Sequence, residues 1–334
     1  MIAATPIDIL GFALARVDEG IGAVIVTLTG IEGSSPRAIG AQMAVAADGR
    51  HLGSFSGGCI EAAVIAEAVA ALADGHPRLV RFGAGSPYLD IRLPCGGGID
   101  LLFNPVAGRG AIAALLAHHA RRQAAGLRFS LAGIEAVAGN APHATGWQGD
   151  DFHVAYAPAL HIVALGQGEE LTAFARLAAA YGAGITAMTP HAASLAALAA
   201  DGFDTALLHT RTRLPPLASD RWTAILFLFH DRDWEEYLLP HALGAPGFYV
   251  GAIGSRRTQQ RRLAALEHAG VPAAHRERLR TTVGLIPATR DPATLALSAL
   301  AQIAEEYRLV EQGMWPGLDG LFASADQAIR PAGL

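Results

Sequence analysis

The chain has 334 residues, of which 51% are hydrophobic and 16% are charged, and its formal net charge is -5 at pH 7. This length predicts two domains of about 150 residues each. The acidic balance, without a basic stripe, argues against nucleic-acid binding. No apolar run reaches the roughly 18 residues that a membrane helix needs, and the N-terminal segment lacks a basic start, so we expect a cytoplasmic protein without a membrane anchor.

The low content of charged residues bears on assembly. It falls below the roughly 25% of an average soluble protein, and fewer charges are then available to cover the surface. We therefore expect a homo-oligomer that hides part of this surface.

The chain contains two cysteines, Cys59 and Cys95. They are too few to cross-link a chain of this length, and thiols of cytoplasmic proteins stay reduced. Neither a CxxC pair nor an HExxH sequence is present, so the sequence predicts no dedicated metal site.

Hydrophobic periodicity and the placement of glycine predict a mixed α and β first half. Apolar runs on both sides of Asp48 and Gly49 predict a hairpin, and Gly75 ends a run with helical spacing. Helices are predicted within 1–20, over 60–74 and over 110–125, and strands over 22–30, 42–46, 51–56, 78–82, 90–93, 99–103, 128–137 and 152–156.

From residue 159 onward, short apolar strands alternate with helices. Such alternation favours a doubly wound parallel sheet. Strands are predicted over 160–166, 185–189, 205–210, 224–229 and 248–254, and helices over 170–181, 191–200, 233–243, 256–269 and 291–311, the last with Asp291 as N-cap and Pro292 after it.

The sequence thus predicts an α/β protein with two domains. We expect a mixed α+β domain at 1–150, a Rossmann-like parallel-sheet domain at 158–312 and a tail at 313–334.

The segment SGGCIE, at 56–61, is the first candidate site. A glycine turn leads into a helix there, and the N–H groups of a first helical turn can hold an anion. The same position favours the thiolate of a cysteine, although the carboxylate of Glu61 opposes it. The alternative is a small packed cysteine beside a tight turn. The candidate residues are Ser56, Gly57, Gly58, Cys59 and Glu61.

Two further loops of the first domain are candidates. The glycines of PCGGG, at 94–98, allow close approach of a ligand to the backbone, whereas the hydroxyls and guanidinium of GSSPR, at 33–37, suit phosphate. The alternatives are a glycine bulge with an incidental thiol and a solvated turn. The candidate residues are Cys95, Gly96 and Gly97 in the first loop and Ser34, Ser35 and Arg37 in the second.

The turn GQGEEL, at 166–171, has the position of a dinucleotide-binding turn between a strand and a helix. Leu171 replaces the third glycine, and the charges of Glu169 and Glu170 would repel a pyrophosphate. The second strand ends in Thr189 rather than in an acidic residue that could bind ribose. These details argue against a nicotinamide cofactor.

The turn GAIGSRR, at 251–257, is a better anion site, because N–H groups, a hydroxyl and two cations converge at the start of a helix. His230 and Asp231 end another strand of the same sheet, and ligands of such sheets lie beyond the carboxyl ends of the strands. One alternative is that the glycines only shape the turn and the arginines coat the helix. The other is a buried His230 without a ligand. The candidates in the turn are Gly251, Gly254, Ser255 and Arg256.

In this order, the motifs resemble those of the XdhC/CoxI family over about residues 8–308. The N-terminal match is the more specific part. The matching motifs are GSSPR at 33–37, GAQM at 40–43, DG at 48–49, Gly53, SGGCIE at 56–61, CGG at 95–97, HD at 230–231, YVGAIGSRR at 249–257, GL at 284–285 and ALS at 296–298.

The resemblance implies a cytoplasmic, often dimeric protein that binds molybdenum cofactor (molybdopterin). Such proteins work with a cysteine desulfurase when sulfide replaces an oxo ligand on molybdenum. They then pass the cofactor to a xanthine dehydrogenase-like molybdenum hydroxylase. The phosphate of the cofactor would suit the glycine-rich turns, and its metal and dithiolene sulfurs would lie near Cys59 or Cys95.

The resemblance therefore favours a maturation chaperone over a catalyst. Two alternatives stay open from the sequence. One is a nucleotide-dependent oxidoreductase that uses the Rossmann-like domain, and the other is a ligand-free adaptor between the hydroxylase and the desulfurase.

Overall fold

The chain forms two compact units, with the division between Pro158 and Ala159. Within the described residues, no helix is long and apolar enough to cross a membrane. The computed structural model describes residues 4–86, 96–137, 144–211, 216–230 and 233–314.

The N-terminal unit contains two antiparallel sheets. Its elements are α1 (Pro6–Asp18), β1 (Ala23–Glu32), β2 (Gln42–Ala46), β3 (His51–Leu52), α2 (Glu61–Asp74), β4 (Arg78–Gly83), β5 (Gly98–Pro105), α3 (Gly110–Ala120), β6 (Ala125–Ser130), β7 (Gly133–Val137), β8 (Gly146–Gln148) and β9 (Asp151–Tyr156). The five-stranded sheet has the order β3-β2-β1-β5-β4, and the four-stranded sheet has the order β7-β6-β9-β8.

Strand β1 is buried on both faces, and its sequence is therefore mostly apolar without alternation. Val24 and Val26 pack with α2 in one core cluster. Ala23 and Ile25 pack with α1, α3 and the four-stranded sheet in a second cluster. The hydroxyl of Tyr156 on β9 donates to Gln42 on β2 at 2.7 Å, so a buried hydrogen bond also joins the two sheets.

Several local predictions are confirmed in this unit, and others need correction. The hairpin forms between β2 and β3, and Gly75 ends α2 in the left-handed conformation. The predicted strand 51–56 stops at Leu52, because Gly53 has a φ of 97°. The predicted strand 128–137 is two strands, β6 and β7, which pair with each other. The predicted strand 90–93 lies outside the described residues.

The C-terminal unit is a six-stranded sheet in which all strands are parallel, so the predicted doubly wound fold is confirmed. Its elements are β10 (His161–Gly166), α4 (Gly168–Tyr181), β11 (Gly184–Thr189), α5 (Ala192–Ala200), β12 (Asp204–Leu207), β13 (Thr223–Leu228), α6 (Glu235–Gly244), β14 (Tyr249–Ala252), α7 (Arg256–His268), α8 (Ala273–Arg276), β15 (Leu279–Arg280) and α9 (Pro292–Glu311). The strand order is β12-β11-β10-β13-β14-β15.

The direction of strand progression reverses between β10 and β13. From β10 the chain proceeds outward to β11 and β12, and it then returns to β13 on the other side of β10. In open α/β sheets, this reversal creates a crevice at the carboxyl ends of the two central strands, where ligands bind.

Helix α9 holds the segment that precedes it. The N-cap prediction is confirmed, since the carboxylate of Asp291 accepts from the N–H of Thr294 at 2.8 Å. The hydroxyl of Ser298 accepts from the N–H of Ile286 at 2.7 Å. A Cβ at Gly284 would lie 2.3 Å from that hydroxyl, so the glycine of the GL motif is required by close packing against α9.

Candidate functional site

The segment 55–61 folds around the carboxylate of Glu61, which is buried at the start of α2. Gly57 and Gly58 have φ values of 74° and 125°, and this backbone turns successive N–H groups inward, as in an anion-binding nest. The donors to the carboxylate, at 2.6–3.3 Å, are the N–H groups of Phe55, Ser56, Gly57, Gly58 and Ile60 and the hydroxyl of Ser56.

The N–H groups that we expected to face a ligand therefore bind Glu61 instead. Burial of the carboxyl group opposes its ionisation, but hydrogen bonds from Ser56, Phe55 and Gly58 outweigh burial and lower the pKa of Glu61 to about 2. Glu61 is thus an internal anion that organises the loop, and its contact with a cofactor stays a prediction.

The thiol of Cys59 is exposed at the tip of this loop. The N–H of Cys59 donates to the hydroxyl of Ser56 at 3.0 Å, so the backbone of the cysteine is fixed while its side chain faces solvent. An exposed thiol on an ordered loop can contact a ligand without rearrangement of the fold.

The two other candidate loops of the N-terminal unit lie in contact. A Cβ at Gly33 would be 3.3 Å from the Cα of Gly97, and a Cβ at Gly97 would be 2.3 Å from the carbonyl oxygen of Glu32. The backbones of 33–37 and 96–98 therefore meet, and only glycine fits at Gly97. Cys95 lies outside the described residues.

The loop 33–37 presents polar groups beside this contact. Ser34 is exposed, whereas Ser35 and Arg37 are half-buried. The N–H of Arg37 donates to the hydroxyl of Ser35 at 3.2 Å, which closes a local turn.

An ion-pair cluster around Arg81 stabilises the neighbouring strand ends, and the sequence did not reveal it. The guanidinium contacts Asp100 on β5 at 3.1 Å and also pairs with Glu32 at the end of β1. Its Nε donates to the carbonyl oxygen of Ala84 at 2.7 Å. A Cβ at Gly98 would lie 2.7 Å from the carbonyl oxygen of Ala84 and 2.8 Å from the same guanidinium, so close packing requires glycine there.

In the C-terminal unit, a hydrogen bond crosses the crevice between β10 and β13. Nε2 of His230, just after β13, lies 2.9 Å from Oε1 of Glu170 in the first turn of α4. His230 is 66% exposed, so it is not the buried histidine of the alternative interpretation. Burial raises the pKa of Glu170, but its hydrogen bond and charge interaction with His230 and a backbone hydrogen bond together outweigh burial, so the net shift of the pKa is downward. Asp231 lies outside the described residues.

The turn after β14 carries the second group of predicted residues to the same edge of the sheet. Ser255 is the N-cap of α7, and its hydroxyl accepts from the N–H of Thr258 at 3.2 Å. Gly254 has a φ of 151°, which favours glycine. A Cβ at Gly251 would lie 2.6 Å from the ring of Tyr249, so the packing of that ring requires glycine there. Arg256 is exposed at the first position of the helix.

Beneath this turn lies a buried polar network that sequence reasoning missed. Arg262 of α7 forms a two-point ion pair with Glu235 of α6, with side chains 3% and 4% exposed. Arg262 belongs to the arginine-rich helix α7, yet its side chain is buried.

Among the residues that the structure describes, no group of three or more His, Cys, Asp or Glu side chains could hold a metal ion. The candidate residues thus fall into three groups. They are the segment 56–61 with its exposed thiol (the thiol loop), the contacting loops 33–37 and 96–98, and the carboxyl edge of the parallel sheet in the C-terminal unit.

Comparisons with known proteins identify relatives of both units. Residues 16–83 match the XdhC and CoxI family, and residues 162–303 match the XdhC Rossmann domain. The chain is 38% identical over 299 residues to the molybdenum cofactor insertion chaperone PaoD of Escherichia coli (strain K12), a match that covers 89% of this chain and 87% of that protein.

A solved structure has the same fold. It is described as a xanthine dehydrogenase from Bacillus halodurans and matches with a TM-score of 0.74. The match covers 92% of this chain and 98% of that chain at 19% sequence identity. At this identity the likeness concerns the fold alone.

Proposed function

The chain belongs to the XdhC and CoxI family, and on that premise we propose that it binds molybdenum cofactor as cargo and delivers it to a molybdenum hydroxylase. The observation that carries this proposal is the 38% identity to a molybdenum cofactor insertion chaperone over 89% of the chain.

In this proposal, Cys59 provides the thiol that contacts the metal or its sulfur ligands, with Cys95 as the second candidate. The exposure of Cys59 on a loop fixed by Ser56 and Glu61 supports the assignment. Thiolates are soft ligands, and a molybdenum centre held by dithiolene sulfurs suits a ligand of this type.

The carboxyl edge of the C-terminal unit is proposed to bind the phosphate of the cofactor. Exposed Arg256, the N-cap Ser255 and the first N–H groups of α7 suit a phosphate. The carboxylate of Glu170 at the start of α4 would repel one, so we place the phosphate at the turn after β14 rather than at the turn after β10.

The finer parts of the proposal concern partners and chemistry. We propose that a cysteine desulfurase supplies sulfide to the cofactor on this chain, that the recipient is xanthine dehydrogenase-like, and that the chain works as a homodimer in the cytoplasm. The family resemblance supports these parts, and the low charged fraction of 16% supports a covered surface.

The oxidoreductase alternative has less support. The first turn of α4 carries Glu170, hydrogen-bonded to His230, where a dinucleotide phosphate would have to lie. Strand β11 ends in buried Thr189, which offers no carboxylate to a ribose.

The test is transfer of cofactor to a partner. A molybdenum-free hydroxylase would be incubated anaerobically with cofactor, with and without this chain, and its bound molybdenum and activity would be measured. We expect the chain to increase both quantities, and Arg256→Gln to reduce the gain while Arg261→Gln, farther along the same helix, does not. Equal molybdenum content with and without the chain would contradict delivery. Partner binding without cofactor transfer would favour the adaptor.

A further inference from the structure

Arg262 lies below the turn after β14 and donates to two backbone carbonyl groups of that turn. Its Nε and Nη2 donate to the two carboxylate oxygens of Glu235 at 2.8 and 2.7 Å. Its Nη2 also donates to the carbonyl oxygen of Ile253 at 2.9 Å, and its Nη1 donates to that of Ala252 at 3.3 Å. Gln259 completes the network, because its Nε2 donates to Ala252 at 2.8 Å and its Oε1 accepts from Arg262 at 2.5 Å.

The network determines which way the peptide groups of the turn point. Because the peptide bonds of the described chain are trans, each C=O is opposed by the N–H of the next residue. The carbonyl of Ile253 faces Arg262, so the N–H of Gly254 faces away from the network. The turn thereby directs donors outward just before Ser255 and Arg256.

The charge of Arg262 is not itself available to a ligand. Glu235 neutralises it through two hydrogen bonds, and both side chains are almost fully buried. Replacing a buried ion pair with apolar side chains is often neutral or stabilising, so stability alone does not account for an arginine at this place. Its contacts with the turn do account for it.

We propose that Arg262 and Glu235 are a positioning pair that holds the turn 252–255 in the conformation that binds phosphate. The pair also connects this turn to α6, whose first residue is Glu235. His230 lies in the segment between β13 and α6. This inference rests on the proposed function, because the phosphate is that of the cargo.

The chain offers a matched control in Arg278. This half-buried arginine also donates to backbone carbonyls, those of Ala245 at 3.0 Å and Gly247 at 2.8 Å. These carbonyls precede β14, so Arg278 lies at the amino end of the strand and away from the proposed site. Lysine at either position keeps the charge but loses the planar fork of donors.

The experiment measures anaerobic binding of molybdopterin, with its phosphate and after enzymatic removal of it, to the full-length wild type and to three variants. The variants are Arg262→Lys, Glu235→Gln and Arg278→Lys, each first shown to be folded by circular dichroism at the assay temperature. For both variants of the pair, we expect roughly tenfold weaker binding of the phosphorylated form and little change for the dephosphorylated form. Arg278→Lys should lower Tm and leave both affinities unchanged.

Three outcomes would count against the pair. Unchanged affinity in Arg262→Lys and Glu235→Gln, with lowered Tm, would show a purely structural role. Equal weakening of the two ligand forms would show that the turn does not act on the phosphate. Failure of the wild type to bind either form would overturn the proposed function itself, and with it the inference.

Discussion

The hydroxyl of Ser56 donates to the carboxylate of Glu61 at 2.6 Å and accepts from the N–H of Cys59 at 3.0 Å. One side chain therefore links the buried anion to the residue that carries the exposed thiol. The conformation of the thiol loop depends on the ionised form of Glu61, because a carboxylate accepts hydrogen bonds on both oxygens.

The first prediction concerns the stability contributed by this carboxylate. Glu61→Gln replaces one acceptor oxygen with an NH2 group that faces backbone donors, so we expect a loss of about 2 kcal/mol in the free energy of unfolding. Urea denaturation measures it. Glu135→Gln is the control, since that carboxylate is 60% exposed in an ion pair with Arg128, and such pairs contribute about 0–1 kcal/mol. Equal losses in the two variants would contradict a special role of Glu61.

The second prediction is the pH dependence of the same interaction. The pKa of Glu61 is about 2 in the folded chain, whereas its ordinary value, taken for the unfolded chain, is 4.5. The carboxylate of the unfolded chain therefore binds a proton first as the pH falls. The stabilisation is fully present above about pH 4.5 and is lost as the pH falls toward 2. Denaturation at a series of pH values should show that Glu61→Gln flattens the wild-type slope in this window. A variant slope as steep as that of the wild type would assign the effect to other groups.

The third prediction separates two kinds of glycine. Gly53 and Gly75 both have positive φ, but a Cβ at Gly53 would lie 2.6 Å from the carbonyl oxygen of Gln42, whereas one at Gly75 meets nothing within 4 Å. We expect Gly75→Ala to cost about 1 kcal/mol from backbone conformation alone and Gly53→Ala to cost clearly more. Thermal unfolding of both variants measures the difference, and equal costs would show that the backbone relaxes around Gly53.

The fourth prediction concerns the hydrogen bond across the crevice. Since His230 lowers the pKa of Glu170 against the effect of burial, His230→Ala should raise that pKa. Titration of the Glu170 carboxyl carbon by NMR measures the shift directly. The control is His191→Ala, just after the neighbouring strand β11, which should leave the pKa of Glu170 unchanged. An unchanged titration in His230→Ala would mean that the two side chains do not interact in solution.

Local features of the fold could be predicted from the sequence. The hairpin around Gly49, the end of α2 at Gly75 and the start of α9 at Asp291 depend on residues that are adjacent in the chain. The alternation of strands and helices likewise predicted the parallel sheet. The split of 128–137 was missed because Leu131 is apolar but lies in the turn between β6 and β7.

The interactions that shape the candidate sites were harder to predict. Arg262 and Glu235 are 27 positions apart, and Arg81 and Glu32 are 49 positions apart. Nothing in the sequence signals such pairs before the topology is known. The role of Glu61 had a local signal, because a glutamate next to a glycine turn at a helix start can itself accept the N–H groups of that turn.

The most direct test of the proposed function is retention of the cargo. Purified chain would be titrated anaerobically with molybdenum cofactor and passed through gel filtration, and molybdenum per chain would be counted for the wild type, Cys59→Ala, Cys95→Ala and, as a control, the remote surface variant Glu135→Gln. We predict near-stoichiometric retention of molybdenum by the wild type and the control. We predict loss of this retention in the variant that lacks the thiol in contact with the cofactor. Absence of molybdenum from the wild-type fraction would contradict cargo binding. Unchanged retention in both cysteine variants would contradict the thiol as its anchor.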